Sequence, residues 1–312
     1  MLVVPPPALL TPAPSPARGT LDREALSMGT RLSLHLEGAG DLAAASEAAL
    51  QEAARIEGAC STWNPDSVWS RLNAQGHAEM DPEWAALLAQ AKAWSPRMEG
   101  AFDPVLGRLV EAWGARMGGR VPSAEELANA RTASGESHLM VQGDSVSLSG
   151  GAWIEEGGFV KGYALDRMKA KLVAAGVRFG WLNFGGQILA WGAPRAVSVA
   201  DPLDRTRPRI ALKLRDASLA CSGDAVRGKH LLDPRSGRPC DPWGEVAVVA
   251  PSGFDADVLS KLFVLGPDQG LTWADAHGVA AAFLPNTGAP RLSRAFLALH
   301  PVLIPFPTRS PE

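Results

Sequence analysis

The sequence predicts an α+β fold, mixed helices with an antiparallel-rich sheet. Three observations carry that expectation. Helical patterns come in a block ahead of the main run of strand patterns, and strict strand–helix–strand alternation is absent, which argues against a doubly wound parallel sheet. Hydrophobic residues make up 46% of the 312 and charged residues 20%, enough apolar material for a buried core. No internal repeat or low-complexity stretch divides the interior. A disordered, proline-rich leader over residues 1–26 is therefore expected to precede one domain over residues 27–312.

The leader is read from its prolines, which lack an amide donor and block both helix and paired strand. Met28–Gly38 then alternates apolar and polar residues, the period of a half-buried strand. Asp41 can cap an Ala-rich helix running to Glu57. Pro82, tolerated in a first turn, opens a second helix to Trp94. A third is expected between Pro104 and Gly114, and Ser123 with Glu126 forms the capping-box signature of a short fourth. Gly143-Asp144 marks the turn of a hairpin within Met140–Ser149. Behind Gly157-Gly158 a long helical pattern covers Val160–Ala175. Strand-like runs follow at Trp181–Phe184, Ile188–Trp191, Ala196–Ala200, Ile210–Leu214 and Glu245–Ala250. Two helices close the pattern: Asp255–Leu265, stopped by Gly266-Pro267, and Asp268–Ala276.

Composition excludes several classes. Thirty basic against 33 acidic side chains leave a net charge of −3, not the basic surface that nucleic-acid binding demands. No apolar run is long enough to predict a membrane span. The first residues carry neither the basic start nor the apolar core of a secretory signal, so a cytoplasmic location is expected. Cys60, Cys221 and Cys240 are widely spaced and form no CxxC pair, which argues against a thiolate zinc site or a disulfide framework. Ten tryptophans against one tyrosine supply either core filling or stacking faces for a flat ligand.

Four segments bear on chemistry. In Ile154–Asp166, paired glycines lead into a helix start, which favours anions, and Lys161 adds charge suited to a pyrophosphate; a tight turn with a surface lysine reads equally well. In Trp181–Gly192, glycines inside a strand pattern mark a bulge or a close approach. Leu219–Asp241 holds His230 and Asp233 ahead of a Pro-Arg-Ser-Gly turn; a histidine beside a ligand can act as a base near neutral pH, though a lone histidine is more often structural. In Phe254–Gly266, Asp257 and Lys261 are four apart and share a helix face, as a surface ion pair would.

Eight blocks, in order, resemble the FAD:protein FMN transferases, also called the ApbE family. They are MGT at Met28–Thr30, STWNPDSVWSRLN at Ser61–Asn73, GAFDPVLGRLVEAWG at Gly100–Gly114 and GGFVKGYALD at Gly157–Asp166. NFGG at Asn183–Gly186, CSGD at Cys221–Asp224, HLLDPRSGRP at His230–Pro239 and ADVLSKLFVLG at Ala256–Gly266 complete the set. The resemblance implies an α+β, T-fold-like architecture that binds FAD. It also implies use of Mg²⁺ to cleave the pyrophosphate, and transfer of FMN to a threonine hydroxyl of a partner protein carrying a threonine acceptor motif. It places Met28, Trp63, Ala101, Phe102, Asp103, Glu155, Lys161 and Leu232 on the cofactor, with Trp63 where the family usually has tyrosine. It assigns His230 to activate the threonine hydroxyl and the metal to Gly158, Asp257 and the position of Lys261.

Departures cluster at the metal. Lys261 replaces the family's threonine, and an ammonium has three donors and no lone pair. The usual Asp-Leu-Gly-Gly reads Glu155-Glu156-Gly157-Gly158, and Gln187 replaces an acidic residue after Gly185-Gly186. Retained His230, Asp257 and glycine turns favour an active transferase. Lys261, Glu156 and Gln187 favour a catalytically impaired flavin-binding homologue, a partner or carrier in a redox assembly. An FAD pyrophosphatase without a protein acceptor is the third possibility.

Overall fold

The computed structural model describes residues 19–223 and 231–305. Its centre is an eight-stranded sheet in which every neighbouring pair is antiparallel. In spatial order the strands are Gly19–Ser27, Thr30–Gly38, Val177–Phe184, Gln187–Trp191, Ala217–Gly223, Gly244–Ala250, Ala280–Pro285 and Arg291–Leu292. The predicted α+β class is what forms. Strand alternation divides the sheet's apolar residues between two faces. Leu32, Leu34, Leu36, Val246, Val248 and Phe283 pack with helices Leu42–Cys60, Val160–Ala174 and Gly253–Leu259 in the main core. Ala247, Ala282 and Leu284 point the other way and pack beneath strands Arg195–Ala200 and Pro208–Leu214.

Two of the sequence signals for helix starts hold in detail. The Asp41 side chain accepts from the Ala44 amide at the head of Leu42–Cys60, and Ser123 and Glu126 form both bonds of the capping box. The predicted hairpin is Leu139–Gln142 with Ser145–Leu148 around Gly143-Asp144.

Several expectations change. Gly19–Ser27 is a strand, paired residue for residue with Thr30–Gly38 from Ser27↔Thr30 to Gly19↔Gly38, so residues 19–26 are not part of a disordered leader. Met28, expected to open a strand, is instead the turn. Met28 (φ 45°) and Gly29 (φ 67°) both adopt left-handed conformations, the pair whose twist matches a two-residue hairpin. The helix expected from Pro104 starts only at Gly107; the Asp103 carboxylate takes the Val105 amide at 2.8 Å in a side-chain turn that competes with helix there. Gly253–Leu259 passes into a 3₁₀ turn over Ser260–Leu265 rather than continuing as one α-helix.

One crossing fixes the site. Helices Val160–Ala174 and Gly253–Leu259 meet at Gly162 and Gly253, where a Cβ on Gly162 would lie 2.2 Å from the Gly253 carbonyl oxygen. Each helix also caps the other. Asp166 accepts from the amides of Gly253 (2.6 Å) and Phe254 (2.9 Å), and Asp257 accepts from the Gly162 amide at 3.2 Å. Carboxylates at helix N-termini meet unpaired donors and a favourable dipole. Asp257 is therefore held in place by the fold itself. Among the described residues, no helix is long and apolar enough to cross a membrane.

Candidate functional site

A cavity of about 650 Å³ opens where the Met28–Gly29 turn, the Ser61–Trp63 segment, Ala101–Asp103, the Glu155–Lys161 turn and Leu231–Leu232 converge. That volume falls in the range of small-molecule sites. Met28, Trp63, Ala101, Phe102, Asp103, Glu155, Gly158, Lys161, Leu232 and Lys261 all line it. Asp257 is bonded directly to Lys261, and His230 lies outside the described residues. A second, more open depression of about 700 Å³, lined by Asp22, Arg23, Arg31 and Trp181, contains none of the predicted residues.

Local chemistry positions each wall. The hairpin tip is pinned to the first helix by Glu57, whose Oε2 accepts from the Met28 amide (2.9 Å) and the Ser27 hydroxyl (3.0 Å). Phe102 lies edge-on to Phe159, which in turn contacts Trp69 and Phe254, so the Phe102 ring in the cavity wall rests on an aromatic cluster of the main core. The Asp103 carboxylate accepts from Ser95 Oγ (3.0 Å), the Val105 amide (2.8 Å) and the Glu136 amide (2.8 Å). It braces the loop that presents Ala101 and Phe102. Lys161 stands in the first turn of its helix, with Nζ 3.3 Å from the Gly157 carbonyl.

An acidic pair forms one side of the cavity. Burial, reinforced by the neighbouring Glu156, pushes the Glu155 carboxyl up to about 7. Arg116 opposes that rise, reaching Glu155 at 2.5 Å and Glu156 at 3.4 Å. Arg116 also donates to the Thr62 carbonyl at 3.0 Å and lies 4.5 Å above the Trp63 ring, while the Thr62 hydroxyl donates to Glu156. Trp63 is 64% exposed, so a stacking face is present at the rim, with the guanidinium on one side of it.

The chain matches the family model described as "ApbE family" over residues 28–283. It belongs to the ApbE family. An FAD:protein FMN transferase of Rhodobacter capsulatus is 32% identical over 243 residues, 70% of this chain and 46% of that protein. The alignment thus spans about half the length of that relative. An FAD:protein FMN transferase of Vibrio cholerae serotype O1 is 27% identical over 250 residues, 73% of this chain and 75% of its own. The crystal structure of the Pseudomonas stutzeri flavinyl transferase ApbE, apo form, superposes with a TM-score of 0.83 at 28% identity, covering 90% of this chain and 97% of that one.

The positions expected to hold a metal in an ApbE protein do converge here, but they do not fit a divalent cation. The Lys261 stem passes 3.5 Å from where a Cβ on Gly158 would stand. Its Nζ lies 3.0 Å from Asp257 Oδ1, 2.8 Å from the Asp257 carbonyl and 3.0 Å from Ser260 Oγ. Burial raises the Asp257 carboxyl, yet Lys261, with Lys161 and the Gly162 amide behind it, holds it below the usual carboxylate range. Asp257 is buried and Lys261 half-buried, with side-chain exposures of 8% and 14%, so this is not the surface ion pair that spacing alone suggests. Among the described residues, no cluster of three or more His, Cys, Asp or Glu could hold a metal ion.

Arg116 and Glu57 escaped the sequence reading. Arg116 sits in a glycine-rich loop after a short helix, and its partners are 39 to 54 residues away in the chain, so no local pattern marks it. Glu57 closes a helix face that reads as ordinary surface.

Proposed function

We propose that this protein is an FAD:protein FMN transferase. In this reading it binds FAD in the 650 Å³ cavity and passes FMN to a threonine hydroxyl of a partner protein with a threonine acceptor motif. One observation carries the proposal: residues from six separate sequence blocks, 28 to 261, line a single cavity that joins aromatic rings to cationic side chains. Phe102, Met28 and the Trp63 rim suit a flat ring system, and Lys161 at a helix start suits the pyrophosphate. The threonine oxygen forms a bond to the FMN phosphorus while the phosphorus–oxygen bond to the AMP half breaks. AMP leaves with that electron pair, and His230, next in the chain to the cavity-lining Leu231, takes the hydroxyl proton.

The test incubates the protein with FAD and a peptide carrying a threonine acceptor motif. The expected result is a peptide heavier by FMN less one water, and one AMP per modified peptide. FAD that binds and stays intact would instead support the flavin-binding homologue, which the Lys261–Asp257 pair favours. AMP without labelled peptide would mark a pyrophosphatase.

A further inference from the structure

Lys261 has its three donors matched by three acceptors of its own helical turn: the Asp257 carbonyl at 2.8 Å, Asp257 Oδ1 at 3.0 Å and Ser260 Oγ at 3.0 Å. An ammonium carries three donors, so this set saturates it. The acceptors are themselves fixed. Asp257 Oδ2 takes the Gly162 amide, and the Ser260 hydroxyl contacts both the Asp257 carbonyl (2.6 Å) and the Ser222 hydroxyl (2.7 Å). The lysine stem lies beside Gly158, with Cε 3.5 Å from where a Cβ on that glycine would stand. A divalent ion at Asp257 would need the oxygen now facing the ammonium, and it would sit beside a like charge in a buried site.

We propose that the Lys261 ammonium occupies the cation position at Asp257, so that this carboxylate takes no divalent metal and FAD enters the cavity without one. This rests on the reading of the cavity as an FAD site. The ammonium neutralises Asp257, which would otherwise be a buried negative charge behind the cavity-lining Lys261. Lys161, on the adjoining wall, is left to meet the phosphates.

The test uses the full chain, stripped of metal. FAD is titrated by flavin fluorescence in EDTA and again in excess Mg²⁺, and Mn²⁺ binding is followed by electron paramagnetic resonance. In the wild type, the FAD dissociation constant should agree within about twofold between the two conditions, with no Mn²⁺ binding sensitive to Asp257→Asn. Lys261→Thr should gain an Mn²⁺ site that Asp257→Asn removes, and its FAD affinity should rise about tenfold or more with Mg²⁺. The proposal is overturned if wild-type FAD binding tightens about tenfold with Mg²⁺ or if wild-type Mn²⁺ binding disappears in Asp257→Asn. A folded Lys261→Thr variant that gains no metal site overturns it too. Should Lys261→Thr not fold, the wild-type comparison alone decides. If FAD binds under neither condition, the FAD reading fails and takes this inference with it, whereas metal-dependent binding refutes the inference alone.

Discussion

Glu155 offers a perturbation whose size follows from its surroundings. Its carboxyl is held at about 7, against an ordinary value of 4.5, by burial and by Glu156. At about 1.4 kcal/mol per tenfold, ionising it in the folded protein costs about 3 kcal/mol more than in the unfolded chain. Its side chain is 17% exposed, so solvent screens little of this. Because the folded value is raised, the folded state binds the extra proton between 4.5 and about 7. The stability this proton provides is complete below 4.5 and is lost as pH rises through about 7. Glu155→Gln removes the titration. Its stability relative to wild type, from urea unfolding, should be more favourable at about pH 8.5 than at about pH 5.5 by about 2 kcal/mol. Any pH-independent loss, such as the weakened Arg116 contact, cancels in that difference. The same relative stability at both pH values would refute the argument that burial and Glu156 govern this group.

Further outcomes follow from the same geometry. FAD affinity should rise as pH falls from about 8.5 to about 6, because a protonated Glu155 presents less negative charge to the pyrophosphate, and Glu155→Gln should flatten that dependence in a fluorescence titration. Gly162→Ala should destabilise the fold by about 3 kcal/mol in urea unfolding, since its Cβ would stand 2.2 Å from the Gly253 carbonyl oxygen and a helix must shift. His230→Ala should leave FAD binding near wild type while slowing peptide labelling at least about 100-fold, as loss of a general base does.

How much was legible depends on how local each signal is. The caps at Asp41 and Ser123–Glu126 and the Gly143-Asp144 turn are written in a few adjacent residues, and the structure follows them. Ala217–Gly223 went unread because small residues dominate it. Its strand state comes from neighbours on both sides, not from β-branched propensity. Gly19–Ser27 was hidden by the prolines ahead of it and by its own charges, although it alternates as a strand should and zips onto Thr30–Gly38. Predicted cavity residues from Met28 to Lys261 came together because the resemblance places whole blocks in order, and the cavity is where those blocks meet.

The sequence by itself determined the α+β class, the helix caps, the family blocks and the lysine standing where an oxygen ligand was expected. Only the tertiary structure decided what that lysine does. Four-residue spacing says that Asp257 and Lys261 share a helix face, but whether the face is wet or buried depends on elements far away in the chain. The glycine crossing of Gly162 with Gly253 brings two helices close enough to cap each other and to enclose Asp257. Once enclosed, a carboxylate needs a partner, because charge is costly where water is excluded. Lys261 is that partner. Arg116 likewise acquires its role only when folding carries it to Glu155, Glu156 and Trp63.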